Sequence, residues 1–233
     1  SQDAGVYTYS LTDPANPTQV SYVSTGASSR SLFAYGKYLY VTSTITNSLY
    51  VLDISNQASP RLVSTLSSGL TSPTSITASG RYLYVSDSLG IRVVDISDPT
   101  TPTLLSSPYV PAAGKSMNIS GRYLFTVSNG KFTIVDLLNP ESPSVASEVS
   151  FGSNPYDVDV SGRYAYVTDL SNNTLSVIDL GGLESTSATI HSLEAGNLSV
   201  RNDISTGGML NVGTSLTVGQ GGFLSQGNSA IYG

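Results

Sequence analysis

One tripeptide, Gly-Lys/Arg-Tyr, recurs four times and limits what this chain can fold into. It stands at Gly36, Gly80, Gly121 and Gly162, at intervals of 44, 41 and 41 residues. Each copy opens a short apolar stretch: Tyr38-Leu39-Tyr40-Val41, Tyr82-Leu83-Tyr84-Val85, Tyr123-Leu124-Phe125-Thr126-Val127 and Tyr164-Ala165-Tyr166-Val167. Short apolar runs rich in Tyr and Val, bounded by turn residues, read as strands. A second stretch follows and ends in aspartate each time, at Asp53, Asp95, Asp136 and Asp179. Next comes a turn that in the second and third repeats reads Asp98-Pro99-Thr100-Thr101-Pro102 and Asn139-Pro140-Glu141-Ser142-Pro143. A weaker strand leads out at Leu62-Val63-Ser64, Leu104-Leu105-Ser106 or Val145-Ala146-Ser147, and another precedes each tripeptide. Four strands per period of about 41 to 44 residues is the pattern of a β-propeller blade. A sandwich would not repeat, and a solenoid coil would repeat at a shorter interval.

Residues 5–17 align without a gap on residues 90–102, so the chain opens halfway through a blade. The reading is therefore all-β, with about four and a half four-stranded blade repeats. Residues 1–26 form the partial blade and residues 27–190 the four others. The half blade points to a piece of a larger ring; the alternative is a C-terminal segment that supplies the missing strands and closes five blades.

The Tyr-x-Tyr-Val strand, the run Val93-Val94-Asp95-Ile96-Ser97-Asp98-Pro99 and the following Pro102-Thr103-Leu104-Leu105 together resemble LVIVD repeats, a propeller repeat of bacteria and archaea. The resemblance covers roughly residues 1 to 190. It departs at Ser10, where aspartate is expected, and at Asp179-Leu180-Gly181-Gly182, where the proline turn is lost. It implies a propeller and a place outside the cell or on its surface, and it implies no particular reaction.

From His191 the period breaks down. Within the tail of residues 191–233, residues 196–233 alternate Gly, Asn and Ser with short apolar pairs such as Leu198-Ser199-Val200, Leu210-Asn211-Val212 and Leu216-Thr217-Val218. The spacing is too short for a blade. It suits a small Gly-rich β-solenoid or stalk, and resembles the stalks of phage tail fibres and trimeric bacterial surface proteins. One such chain buries little, so a trimer or filament is expected through it.

Composition narrows the chemistry. Charged residues make up 11% of the chain and the net charge is −6, the reverse of the basic face that nucleic acid requires. No apolar run approaches the roughly 18 residues that insert into a bilayer. With no cysteine and a single histidine, His191, neither a thiol nucleophile nor a His- or Cys-ligated metal centre is expected. No cofactor is expected. The aspartate-bearing turns at residues 95–98 and 169–173 lack alternating calcium-loop spacing and read as self-capping turns. The aspartate closing each second strand recurs in every blade. That marks a structural role: it accepts turn N–H groups and pairs with the tripeptide's Arg or Lys.

One constellation varies where the rest repeats. Asp157 and Asp159, at i and i+2 on the strand that should be innermost, point to one face. Their equivalents are Ser75 and Thr77, then Ser116 and Asn118. Together these residues make a candidate polar lining for the central channel, and the two carboxylates could act as acid and base. The fifteen tyrosines supply flat area suited to protein or glycan ligands, although most sit at repeating packing positions. The expected function is an extracellular or cell-surface binding and display module, non-catalytic, with a protein or glycan partner. The rival readings are a hydrolase or lyase working through Asp157 and Asp159, and a structural filament or surface-layer subunit.

Overall fold

The structure, a computed structural model, describes residues 5–26, 28–105, 114–152 and 154–181. Its contacts group Ser1–Leu183 into one compact unit and Glu184–Gly233 into another. The expected stalk at 191–233 lies outside the described residues.

All described regular elements are strands. β1 (Gly5–Ser10) and β2 (Thr18–Ser24) form a two-stranded antiparallel pair. Three four-stranded sheets follow, each meandering from its first strand to its fourth. The first holds β3 (Ser31–Tyr35), β4 (Tyr38–Ser43), β5 (Ser48–Asp53) and β6 (Arg61–Leu66). The second holds β7 (Ser75–Ser79), β8 (Tyr82–Asp87), β9 (Gly90–Asp95) and β10 (Thr103–Leu104). The third holds β11 (Ser116–Ser120), β12 (Tyr123–Ser128), β13 (Lys131–Asp136) and β14 (Ser144–Ser150). A last sheet holds β15 (Pro155–Ser161), β16 (Tyr164–Asp169) and β17 (Thr174–Asp179). These are the expected blades, and β1–β2 occupy the third and fourth places of the partial one.

The tripeptide works through its glycine. Each first hairpin has a two-residue turn, and Gly36, Gly80, Gly121 and Gly162 take φ of 60°, 59°, 59° and 60° there. A turn with positive φ at its first central position reserves that place for glycine and matches the twist of the flanking strands. The Arg pairs as expected in three blades. Arg81 lies 3.0 Å from Asp95, Arg122 Nε donates to Asp136 at 2.6 Å, and Arg163 Nε donates to Asp179 at 3.0 Å. The first full blade departs from this: Lys37 lies over the Tyr38 ring, 5.4 Å from its centroid, and Asp53 pairs with Arg61 at 3.4 Å.

All four aspartates also accept the N–H two residues on, from Ser55, Ser97, Leu138 and Gly181, at 2.8–2.9 Å. Hydrogen bonds to the charged form hold each carboxyl below its usual range. For Asp136 and Asp179 the largest cause is the paired arginine, and for Asp53 and Asp95 it is bonding to Ser55 and Ser97. A depressed folded-state value makes a stabilising contribution above the unfolded value, near 4, that is lost as pH falls through the folded one. The thermal midpoint followed by circular dichroism should therefore fall as pH drops below about 4. An Asp136→Asn variant should show a shallower fall over that window.

The blades pack face to face. Call the face bearing Tyr40 forward, and the face bearing Leu39 back. Tyr40, Leu49 and Val51 share one buried cluster with Ile76, Leu83, Val85 and Val94 of the next blade. Tyr84, Ile91 and Val93 likewise meet Met117, Leu124 and Val135. Phe125, Val127 and Phe132 meet Val158, Ala165 and Val167. Val6 and Val23 of the partial blade cover Leu39, Val41, Tyr50 and Leu52. Polar bonds from one blade to the turn of the next recur as well. The Ser21 and Ser64 hydroxyls donate to the carbonyls of Gln57 and Pro99, and Tyr82 donates to Glu141 at 2.6 Å. First strands lie side by side: β3 touches β7, β7 touches β11, and β11 touches β15. The strand before each tripeptide is therefore innermost, as its pattern required.

Candidate functional site

Because the first strands adjoin, the varying residues Ser75, Thr77, Ser116, Asn118, Asp157 and Asp159 fall on neighbouring strands. The structure separates them by burial. Ser75 and Thr77 are buried at 8% and 4% exposure, closed beneath the next blade, and do not face solvent. Ser116 and Asn118 are half-buried, while Asp157 and Asp159 are exposed. The corresponding places on β3 hold Ser31 and Phe33, so the polar lining is confined to β11 and β15.

There the residues do meet. Asn118 Nδ2 donates to Asp159 Oδ1 at 2.7 Å, from one blade to the next. Asp157 Oδ1 accepts the N–H of Val158 at 3.0 Å, and the Asp157 N–H donates to Thr168 Oγ1 at 3.1 Å. A bulge between Pro155 and Asp157 sets this local geometry. Pro155 occupies the first place of its strand, where a missing ladder donor costs least.

Three further residues complete the cluster, and sequence reasoning missed them. Lys115 donates to Asn154 Oδ1 across the junction, and its ammonium lies 5.8 Å from the Tyr156 ring centroid. Lys115 stands directly before Ser116, Tyr156 directly before Asp157, and Asn154 three residues before Asp157. Their one available signal was the variability of these places from repeat to repeat. Gly114 permits the approach: a Cβ there would come within 2.3 Å of Thr126 Oγ1.

The result is a surface of one ammonium, two carboxylates, two amides and an exposed tyrosine. It can offer donors and acceptors to a polar ligand and one ring for stacking. Its carboxylates act as acceptors within the fold. Clefts lie elsewhere too: one of about 310 Å³ is lined by Val6, Tyr9, Leu32 and Leu39, and another, about 290 Å³, by Phe132, Ile134, Val149, Phe151 and Ile178. Among the described residues no three His, Cys, Asp or Glu side chains gather to hold a metal ion. No helix among them is long and apolar enough to cross a membrane.

The sheets that follow one another face on face, with their first strands adjoining, define a β-propeller repeat protein. Within that class, the LVIVD repeat matches residues 26–67, 72–108, 113–150 and 154–187, and the chain belongs to the LVIVD repeat family. Solved structures agree on the fold. The computationally designed Ika4 protein is similar at a TM-score of 0.54 and 12% identity, over 66% of this chain and 92% of that one. The designed Ika8 protein is similar at 0.60 and 11%, over 77% and 54%. The Cps50 (Swd1) β-propeller domain of Myceliophteria thermophila is similar at 0.58 and 12%, over 73% and 61%. The chain thus spans little more than half the length of the last two. No curated protein matches the sequence.

Proposed function

We propose that this chain is a non-catalytic binding and display module whose ligand, a protein or a glycan, is met on the exposed polar surface of β11 and β15. The observation that carries this reading is the Asn118–Asp159 bond between blades. A carboxylate bonded to a neighbouring blade is fixed in place as an acceptor, and such preorganisation suits a recognition surface. Rigid blades presenting side chains at their inner edge suit recognition, since little order is lost on binding. Family resemblance and the low charge of the sequence support a place outside the cell or on its surface. The segment 191–233 enters from sequence alone, as the part that would anchor or oligomerise the head.

The test is retention of the purified protein on an arrayed glycan panel and on immobilised surface proteins, beside an Asp157→Asn/Asp159→Asn variant. Retention of the wild type, lost in the variant, supports the proposal. Equal retention of both would move binding away from β15. Turnover of a glycoside or polysaccharide, abolished by the variant, would replace the proposal with a hydrolase or lyase acting through Asp157 and Asp159.

A further inference from the structure

We infer that another protein docks on the end of the blades opposite the Gly-Lys/Arg-Tyr turns, seating an apolar anchor on Ile45 and Leu89 and a carboxylate on Lys115. This rests on the reading of the chain as a binding module, and takes the partner to be a protein. The two ends of the blades differ in charge. The Gly-Lys/Arg-Tyr end carries the Arg–Asp pairs of three blades, with Asp53, Arg61 and Glu141 beside them. The other end carries the hairpins between the second and third strands of each sheet, at residues 44–47, 88–89, 129–130 and 170–173, and no residue of these tips is charged. Three tips expose a large aliphatic side chain instead: Ile45 at 70%, Leu89 at 52% and Leu170 at 53%. The fold does not call for them. None of the three joins a core cluster, and Asn47 and Asn173 take the positive φ of their turns, 52° each. Ile45 and Leu89 stand on sheets covered on both faces by neighbouring sheets, so blade stacking leaves these tips open. Depleted charge with exposed apolar side chains is the composition of the centre of a protein interface.

Hydrogen bonds join these tips into one surface. The Ser72 N–H donates to Asn47 Oδ1 at 2.7 Å and the Ser88 N–H to the Thr71 carbonyl at 2.8 Å, so the hairpins of Ile45 and Leu89 hold the same loop. From that loop Thr74 Oγ1 donates to the Gly114 carbonyl at 2.9 Å, one residue before Lys115. Asn154 accepts from Lys115 through Oδ1 and, at 3.1 Å, from the Leu170 N–H through its carbonyl. Lys115 sets the partner's charge. It is half-buried, its ammonium meets the Asn154 amide and the Tyr156 ring, and among the described residues no carboxylate lies within ion-pair distance of it. An ammonium has three N–H donors, and a carboxylate is the acceptor that binds it most strongly. Aliphatic tips give a glycan neither a hydrogen bond nor a flat ring. An anionic bilayer is held by clustered Lys and Arg, and the tips contain none. An acidic protein segment with an apolar side chain satisfies both features.

A phage-displayed library of random peptides, selected on the full chain, tests this. The selected peptides, synthesised free, are titrated by calorimetry into the wild type, Ile45→Asn/Leu89→Asn and Lys115→Gln. They should carry Asp or Glu beside apolar residues and bind the tip variant about tenfold more weakly or worse, as expected for loss of an interface anchor. Binding to Lys115→Gln should also weaken and lose part of its salt dependence. Circular dichroism checks that the variants are folded, and the single variants Ile45→Asn and Leu89→Asn serve if the double one melts early. Peptides that bind wild type and tip variant equally would overturn the proposal, and undiminished binding to Lys115→Gln would overturn the carboxylate. Failure to select any peptide, with glycan retention still dependent on Asp157 and Asp159, would overturn this inference and leave the binding module standing. Failure of both experiments would remove both. Tip-dependent sedimentation with phosphatidylserine vesicles would replace the protein with a lipid surface, and tip-dependent self-association would replace it with a second copy of this chain.

Discussion

Replacing Asp87 with alanine is expected to destabilise the protein by about 3–5 kcal/mol, the range for breaking a buried ion pair by removing one member. Asp87 is fully buried at the end of β8. Its carboxylate accepts the Arg92 Nε–H at 3.1 Å and the backbone N–H groups of Thr71, Leu89 and Gly90 at 2.8–3.1 Å. Arg92 is itself 8% exposed. Alanine would take one acceptor from a buried guanidinium and leave three backbone donors without theirs, and each unsatisfied donor adds its own desolvation cost. Urea denaturation measures the loss. The double variant Asp87→Ala/Arg92→Met should recover much of it, because it also removes the buried guanidinium that lost its carboxylate. A double variant as unstable as the single one would show that the three backbone bonds, rather than the ion pair, set the cost.

The second large effect compares one repeat position in two surroundings. Tyr84→Ala should cost about 3–5 kcal/mol, the range for deleting a fully buried aromatic ring and leaving a cavity. The equivalent Tyr166→Ala should cost less than about 1 kcal/mol, because that ring is partly exposed. Both variants are read by urea denaturation at low protein concentration, where association contributes least. Equal losses at the two positions would mean that Tyr166 is covered in solution.

The repeat made the fold legible because each of its parts acts over a short stretch of chain. Gly36, Gly80, Gly121 and Gly162 serve two-residue turns, and the structure gives them nearly identical φ. Asp53, Asp95, Asp136 and Asp179 bond to groups two residues on and across their own hairpins, distances that spacing alone reveals. The candidate site was legible only in part. Asp157, Asp159 and Asn118 stood out because they break the repeat. Ser75 and Thr77 occupy the same repeat places, yet the next blade closes over them, and burial by a neighbour about forty residues away leaves no mark in a hydroxyl side chain. Lys115 and Asn154 meet for the same reason, across a blade junction. Asp87 was hidden by its own repeat: the equivalent places hold Ser43, Ser128 and Asp169, so nothing in the pattern announced that Arg92 would need a partner there.

Every blade in this chain carries both halves of the same joint, a forward face and the back face that fits it. A gene duplication that copies one period of about 41 residues therefore delivers a ready-made neighbour on each side. Stability in such an array is close to a sum over units and their nearest contacts. Blades could then be gained or lost over evolutionary time without redesigning the core. Natural variation would concentrate at the inner edge, where Lys115, Asn118, Asp157 and Asp159 already differ from one blade to the next.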